Sequence, residues 1–116
     1  MTPLQFYKCL SDDTRLKSLL IISELTEVCV CDLMAGLELD QPKVSRHLAE
    51  LRKHKILMDE RRGKWVHYQL HPELPQWAKN VIQETANKNP DYFSEALQKL
   101  KAAKSQTGSC AQKDSK

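Results

Sequence analysis

The most constraining feature of the sequence is the stretch 41–70, where an amphipathic helical pattern is followed at once by a hairpin pattern. Asp40 can cap a helix that begins at Gln41, because an aspartate side chain can accept a hydrogen bond from a free backbone N–H of the first turn. Pro42 is compatible with this start, because proline is tolerated in the first turn of a helix. Apolar residues then recur at helical spacing and predict the buried side of this helix: Val44, Leu48 and Leu51. The rest of the helix surface is polar and basic.

The hairpin pattern lies on either side of Arg62-Gly63-Lys64. Two runs typical of strands, 56–61 and 65–70, flank this tripeptide, and glycine supplies the positive φ of a tight turn. A two-stranded ribbon directly after such a helix is a wing. We expect its basic tip to reach a nucleic-acid backbone or minor groove.

Helical patterns also precede residue 41. A short one covers 4–10, and a longer one runs from the capping residues 11–13 to about Leu25. The segment 28–37 predicts a further short helix that buries Leu33, Met34 and Leu37. Two helices joined by a tight turn, the second with a basic face, are typical of a helix-turn-helix. The predicted fold is therefore mainly α with a small β-hairpin, a dimeric winged helix-turn-helix.

Charge is divided sharply along the chain. Residues 11–40 carry seven acidic and two basic side chains, a net −5, whereas residues 41–64 carry eight basic and three acidic ones, a net +5. A local basic block favours polyanion binding, although a solvated charged face has the same composition. The candidate DNA-binding residues are Gln41, Lys43, Ser45, Arg46, His47, Arg61, Arg62 and Lys64. Arg46 is the best candidate for a guanine edge.

The C-terminal part predicts two more helices. The first of them, over Leu74–Ile82, has an apolar face that includes Trp77. Together with the first helix of the chain, this face offers an apolar surface for a homodimer. A second amphipathic helix is expected from Asp91 to about Lys104. We therefore expect one domain over 1–104 and a disordered polar tail over 105–116.

Two of the four cysteines, Cys29 and Cys31, are one residue apart and can offer two thiolates to a soft, thiophilic metal or metalloid ion. The N-terminus lacks a secretory signal and the apolar runs are too short to span a bilayer, so we expect no membrane partner, a cytoplasmic location and reduced thiols. On an ideal helix Cys29 and Cys31 lie about 200° apart around the axis. Binding of one ion by both cysteines would therefore require the start of this predicted helix to unwind.

Other site chemistries fit less well. A tetrahedral zinc site would need a second close cysteine pair, which the sequence lacks, or a histidine pair. His67 and His71 are four residues apart, but they fall on the predicted wing strand and its exit, where this spacing does not bring two side chains together. A Cys-x-Cys thiol–disulfide oxidoreductase would need an α/β pattern and would leave the basic helix and wing without a purpose. We expect no catalysis and no resident cofactor.

Three stretches together resemble the arsenic-repressor (ArsR-type) family of metalloregulators: 10–16, 28–33 and 41–52, continued by the wing at 63–70. The resemblance covers roughly residues 3–82. It implies a homodimeric winged helix that represses a detoxification operon by binding double-stranded operator DNA with an inverted repeat. It also implies release from DNA when the inducer, As(III) or Sb(III), binds Cys29 and Cys31.

One position departs from the family pattern. Members of this type usually carry a third cysteine three positions after the second, where this chain has Met34. A thioether cannot become an anionic ligand. Cys110 or Cys9 could supply a third sulfur, or two thiolates plus water or a cellular thiol could suffice. Oxidants, cadmium, lead and bismuth are alternative signals for the same pair.

Overall fold

Helices make up most of the chain that the computed structural model describes, residues 1–107, and one three-stranded sheet joins them. The elements of this part follow in order as α1 (Pro3–Leu10), α2 (Asp13–Leu25), β1 (Glu27–Cys29), α3 (Val30–Leu37), α4 (Gln41–Lys53), β2 (Leu57–Arg62), β3 (Trp65–Leu70), α5 (Gln76–Lys88) and α6 (Pro90–Thr107). No helix of the described chain is long and apolar enough to cross a membrane.

The helix-turn-helix is formed by α3 and α4, as predicted. Asp40 caps α4 by accepting a hydrogen bond from the backbone N–H of Lys43 at 3.1 Å, and proline occupies the first turn. The predicted stripe is fully buried and fixes the inner side of α4: Val44, Leu48 and Leu51. Helix α2 lies at the centre of the domain, since five successive residues, 18–22, are buried.

The wing is the antiparallel pair β2–β3, which closes at Arg62↔Trp65 through a turn in which Gly63 has a φ of 63°. The sheet has a third strand that the sequence did not predict. Strand β1 pairs antiparallel with β3, with Cys29 opposite His67, so the strand order is β1-β3-β2. The wing is therefore anchored to the segment that carries the thiol pair.

The expectation that one helix covers 28–37 is wrong at its start. Residues 27–29 are extended and α3 begins at Val30, with Cys29 as its N-cap (φ −79°, ψ 149°). The ladder to β3 satisfies the backbone of this segment, and a local helical pattern cannot reveal such a distant pairing. Both thiols therefore lie at a strand-to-helix junction.

Helix α6 extends the predicted C-terminal helix to Thr107 and packs against α3. At Gly36 the two helices approach so closely that an added Cβ would lie 2.7 Å from the carbonyl oxygen of Ala96. The predicted domain end at 104 thus falls within α6. Of the predicted tail, residues 105–107 are helical and residues 108–116 lie outside the described part of the chain.

Candidate nucleic-acid interface and thiol pair

The outer face of α4 presents the predicted DNA-binding residues to solvent. Gln41, Lys43 and Arg46 are exposed, and Ser45 is half-buried beside them. Because the opposite side of α4 is locked in the core, this face has a fixed position on the domain. Such a helix can enter the major groove and present its N-terminal half to base edges.

His47 has surroundings different from those expected of a DNA contact. Its Nδ1 lies 3.3 Å from Nη1 of Arg15 and 3.7 Å from Oδ1 of Asp12, and its side chain is 18% exposed. The ring thus packs against the start of α2. Its DNA contact remains a prediction.

Three basic residues lie around the turn of the wing. Arg61, Arg62 and Lys64 are all exposed, and Arg62 donates two hydrogen bonds of 2.7 Å to the carboxylate of Glu27 and one of 2.7 Å to Glu60. The guanidinium of Arg62 holds the pKa of Glu27 below its ordinary value by hydrogen bonding to the carboxylate, which outweighs the opposing effect of burial. Arg62 therefore ties the wing to β1.

The two sulfur atoms of the thiol pair are neighbours. The Sγ atoms of Cys29 and Cys31 lie 2.8 Å apart, which is longer than the roughly 2.05 Å of a disulfide bond. The Cys29 Sγ also accepts a hydrogen bond from the backbone N–H of Cys31 at 3.3 Å. The extended N-cap conformation brings the sulfurs together, so the expected unwinding of a helix is not required.

Two titratable groups, Asp32 and His67, border this pair, and the sequence analysis predicted neither position. The buried carboxylate of Asp32 accepts a hydrogen bond from the Cys29 N–H at 3.4 Å and completes a capping box. Burial raises the pKa of Asp32, while Lys104 and this hydrogen bond act in the opposite direction. His67 is buried opposite Cys29, and its Nε2 has no hydrogen-bond partner among residues 1–107. The three-residue spacing from Cys29 could have revealed Asp32; His67 required the strand pairing.

No third metal ligand accompanies the pair within residues 1–107, where no three His, Cys, Asp or Glu side chains are grouped to hold an ion. Cys9 is buried on α1 and lines a cavity with Arg15, Glu50 and His54. Burial raises the pKa of the Cys9 thiol. The other candidate, Cys110, lies outside the described residues.

The predicted dimer surface on α1 and α5 is apolar and exposed. Leu4 is 65%, Tyr7 51% and Trp77 39% exposed. The Trp77 ring packs edge-on against buried Phe6, with centroids 5.1 Å apart, which joins the two helices into one patch. Exposed aromatic patches of this kind are typical of protein interfaces.

A helix-turn-helix with an exposed basic outer face, followed by a β wing, defines the winged-helix class of DNA-binding proteins. The sequence profile of the arsR family of bacterial regulatory proteins matches residues 12–57. The chain belongs to this family of transcriptional regulators, as the sequence resemblance predicted.

Relatives of known name agree with the assignment. The chain is 50% identical to the arsenic resistance transcriptional regulator ArsR1 of Pseudomonas putida, over 81% of this chain and 73% of that protein. It is 52% identical to the arsenical resistance operon repressor of Escherichia coli, over 72% of each chain. A solved structure, the AntR antimony-specific transcriptional repressor, superposes with a TM-score of 0.64 at 25% identity, covering 76% of this chain and 77% of that one. These relatives are transcriptional regulators and not enzymes.

Proposed function

We propose that the chain is a metalloid-responsive transcriptional repressor, which binds operator DNA as a dimer and leaves it when As(III) or Sb(III) binds the thiolates of Cys29 and Cys31. The observation that carries the proposal is the 2.8 Å separation of the two sulfur atoms at the junction of β1 and α3. Helix α4 and the wing both connect to this junction, α4 through α3 and the wing through the pairing of β1 with β3. The names of the arsenic and antimony repressors that the chain resembles support the choice of ion.

On the DNA side, α4 would lie in the major groove with Arg46 against a guanine edge. Arg61 and Lys64 would reach the backbone or the adjacent minor groove. The segment that forms α4 and most of the wing, 41–64, has a net charge of +5, whereas residues 11–40 have a net charge of −5, which supports DNA binding by these two elements. An inverted repeat requires a twofold partner, and the exposed apolar patch on α1 and α5 supports a contact between two copies there.

Ion binding would disturb the junction because one ion needs more room than the sulfurs leave. With thiolate bonds of about 2.3 Å and a bond angle near 90° or wider, two sulfurs on one ion lie about 3.3 Å apart or more. The sulfurs must therefore separate, and Cys29 moves as both the last residue of β1 and the N-cap of α3. Small shifts of this kind can switch a packed element between two arrangements.

Two routes connect this movement to the DNA-binding surface. Strand β1 pairs with β3, and the Glu27–Arg62 ion pair ties it to the wing. Helix α3 leads through a tight turn to α4, in which the αL conformation of Glu38 (φ 56°) ends α3. A ligand that favours the displaced arrangement weakens DNA binding by its differential affinity for the two states.

The test is DNA binding by the reduced full chain to a fragment from upstream of its own gene, with and without arsenite. We expect arsenite to weaken binding by wild type and by the matched control Cys9→Ser. Cys29→Ser and Cys31→Ser are expected to bind DNA normally and to ignore arsenite. If arsenite leaves the DNA affinity of reduced wild type unchanged, the proposal is wrong. Cadmium, lead, bismuth or peroxide in place of arsenite tests the alternative signals.

A further inference from the structure

Arg15, in the first turn of α2, connects two other helices of the domain. Its Nε donates a hydrogen bond of 2.7 Å to the carbonyl oxygen of Cys9, near the end of α1. Its Nη1 lies 3.3 Å from Nδ1 of His47 on α4. Because a guanidinium group can only donate hydrogen bonds, Nδ1 of His47 is the acceptor. One half-buried side chain therefore joins α1, α2 and α4.

The contact with α1 suits the end of a helix. The last carbonyl groups of a helix have no partner within it, and a cation beside them is favoured by the helix dipole. Ser11 donates to the carbonyl oxygen of Lys8 with its N–H and its hydroxyl, and Arg15 satisfies the next carbonyl, that of Cys9. The backbone N–H of Arg15 donates in turn to the capping carboxylate of Asp12 at 3.0 Å. Arg15 therefore leaves α2 at a defined point.

A cavity of about 200 Å³ lies beside Arg15, between α1 and α4. The other residues that line it belong to α1, to the second half of α4 and to the cap of α4: Gln5, Lys8, Cys9, Glu50 and His54. Side chains that face an open space have few partner atoms there and gain little attraction across it. At this gap, the hydrogen bonds of Arg15 therefore hold α1 and α4 in place more than packing does.

The two helices that Arg15 connects carry different surfaces. Helix α1 carries part of the exposed apolar patch that we propose as the dimer contact, and α4 presents its polar face to DNA. In a dimer, the angle between α1 and α4 of each subunit sets the distance and orientation of the two α4 helices. We propose that Arg15 is a positioning residue, which fixes this angle through Cys9 and His47 and so determines the half-site spacing that the dimer accepts. This inference rests on the proposed function.

Operator binding by the reduced full chain, without arsenite, tests the inference. The probes are the inverted repeat that footprinting locates upstream of its own gene and the same repeat with one base pair inserted between its halves. Wild type should bind the native spacing more tightly. Arg15→Met should weaken that binding about 10-fold, the scale of a lost hydrogen bond to a charged group. Its affinity for the altered spacing should fall less, so that its spacing preference is smaller than that of wild type.

Two variants of His47 separate positioning from a purely structural effect. The amide oxygen of asparagine can accept a hydrogen bond as Nδ1 does, so His47→Asn should keep the spacing preference. His47→Leu offers no acceptor and should behave like Arg15→Met. Combining Arg15→Met with His47→Leu should cost little more than either change alone, because both remove the same contact. Lys17→Met is the matched control, since Lys17 contacts Asp13 and Tyr92 instead.

An unchanged spacing preference in Arg15→Met, or additive losses in the double variant, would overturn the inference. If Arg15→Met fails to fold in a urea titration, the His47 variants decide, and equal spacing preferences of His47→Asn and His47→Leu would overturn it. If wild type binds the repeat and arsenite releases it, the proposed function stands whatever these variants do. If wild type binds no such repeat, both proposals fail together.

Discussion

The outer face of α4 and the thiol pair at the β1–α3 junction are built in opposite ways. The first consists of exposed charged and polar side chains on a helix whose other side is buried. The second is a buried or half-buried pair that depends on a strand ladder and a helix cap. The α4 face therefore depends on exposed side chains carried by one locally determined helix, whereas the thiol pair depends on the packing of distant segments. Substitutions in the two regions should therefore have different kinds of effect.

The largest effect is expected from Gly36→Val, which tests how far the thiol region depends on packing. An added Cβ would meet the Ala96 carbonyl oxygen at 2.7 Å and force α6 away from α3. We expect the free energy of unfolding to fall by about 3 kcal/mol, the upper range for overpacking, as measured by urea denaturation. Ala102→Val, exposed on α6, is the matched control. Equal stabilities of the two variants would contradict the close packing of α3 and α6.

Arg46→Ala tests the opposite property of the α4 face. Since Arg46 is exposed, its loss should leave stability unchanged. If Arg46 reads a guanine edge, the variant should bind operator DNA about 1–3 kcal/mol more weakly than wild type, and its loss of affinity for random DNA should be smaller. Fluorescence anisotropy with both DNAs measures the difference. An equal loss on both would assign Arg46 to the phosphate backbone instead.

The wing offers a comparison between adjacent arginines. Arg61→Ala should weaken binding to all sequences and lower the slope of log affinity against log salt by about 1. Arg62→Ala should change this slope less, because Glu27 and Glu60 already neutralise that guanidinium. The measurement is a salt titration of DNA binding. A larger slope change for Arg62→Ala would mean that the ion pair opens on DNA.

The smallest effect is expected from Glu27→Gln, which weakens the tie between wing and β1. The pKa of Glu27 is lowered from its ordinary value of 4.5, so its stabilising effect is present above that pH and is lost as the pH falls through the lowered value. The variant should be slightly less stable than wild type at neutral pH and equal to it in acid. The effect is small because both side chains of the pair are partly exposed to solvent. A stability difference that persists in acid would contradict a role for the carboxylate charge.

The sequence was sufficient to predict the elements that are determined locally. The cap at Asp40, the buried stripe of α4 and the turn at Gly63 each follow from a short pattern and its physical preference. Strand β1, the proximity of the two sulfurs and the Arg62–Glu27 pair could not be predicted in this way. Each depends on residues more than thirty positions apart, as in the pairing of Cys29 with His67.

If occupation of the thiol pair and DNA binding oppose each other, thermodynamic linkage requires each ligand to weaken the binding of the other by the same factor. The affinity for arsenite is measured on the reduced full chain alone and on the chain saturated with operator DNA. We expect weaker arsenite binding to the DNA complex, by the same factor as arsenite weakens DNA binding, typically about 5- to 150-fold. Equal arsenite affinities with and without DNA would contradict it.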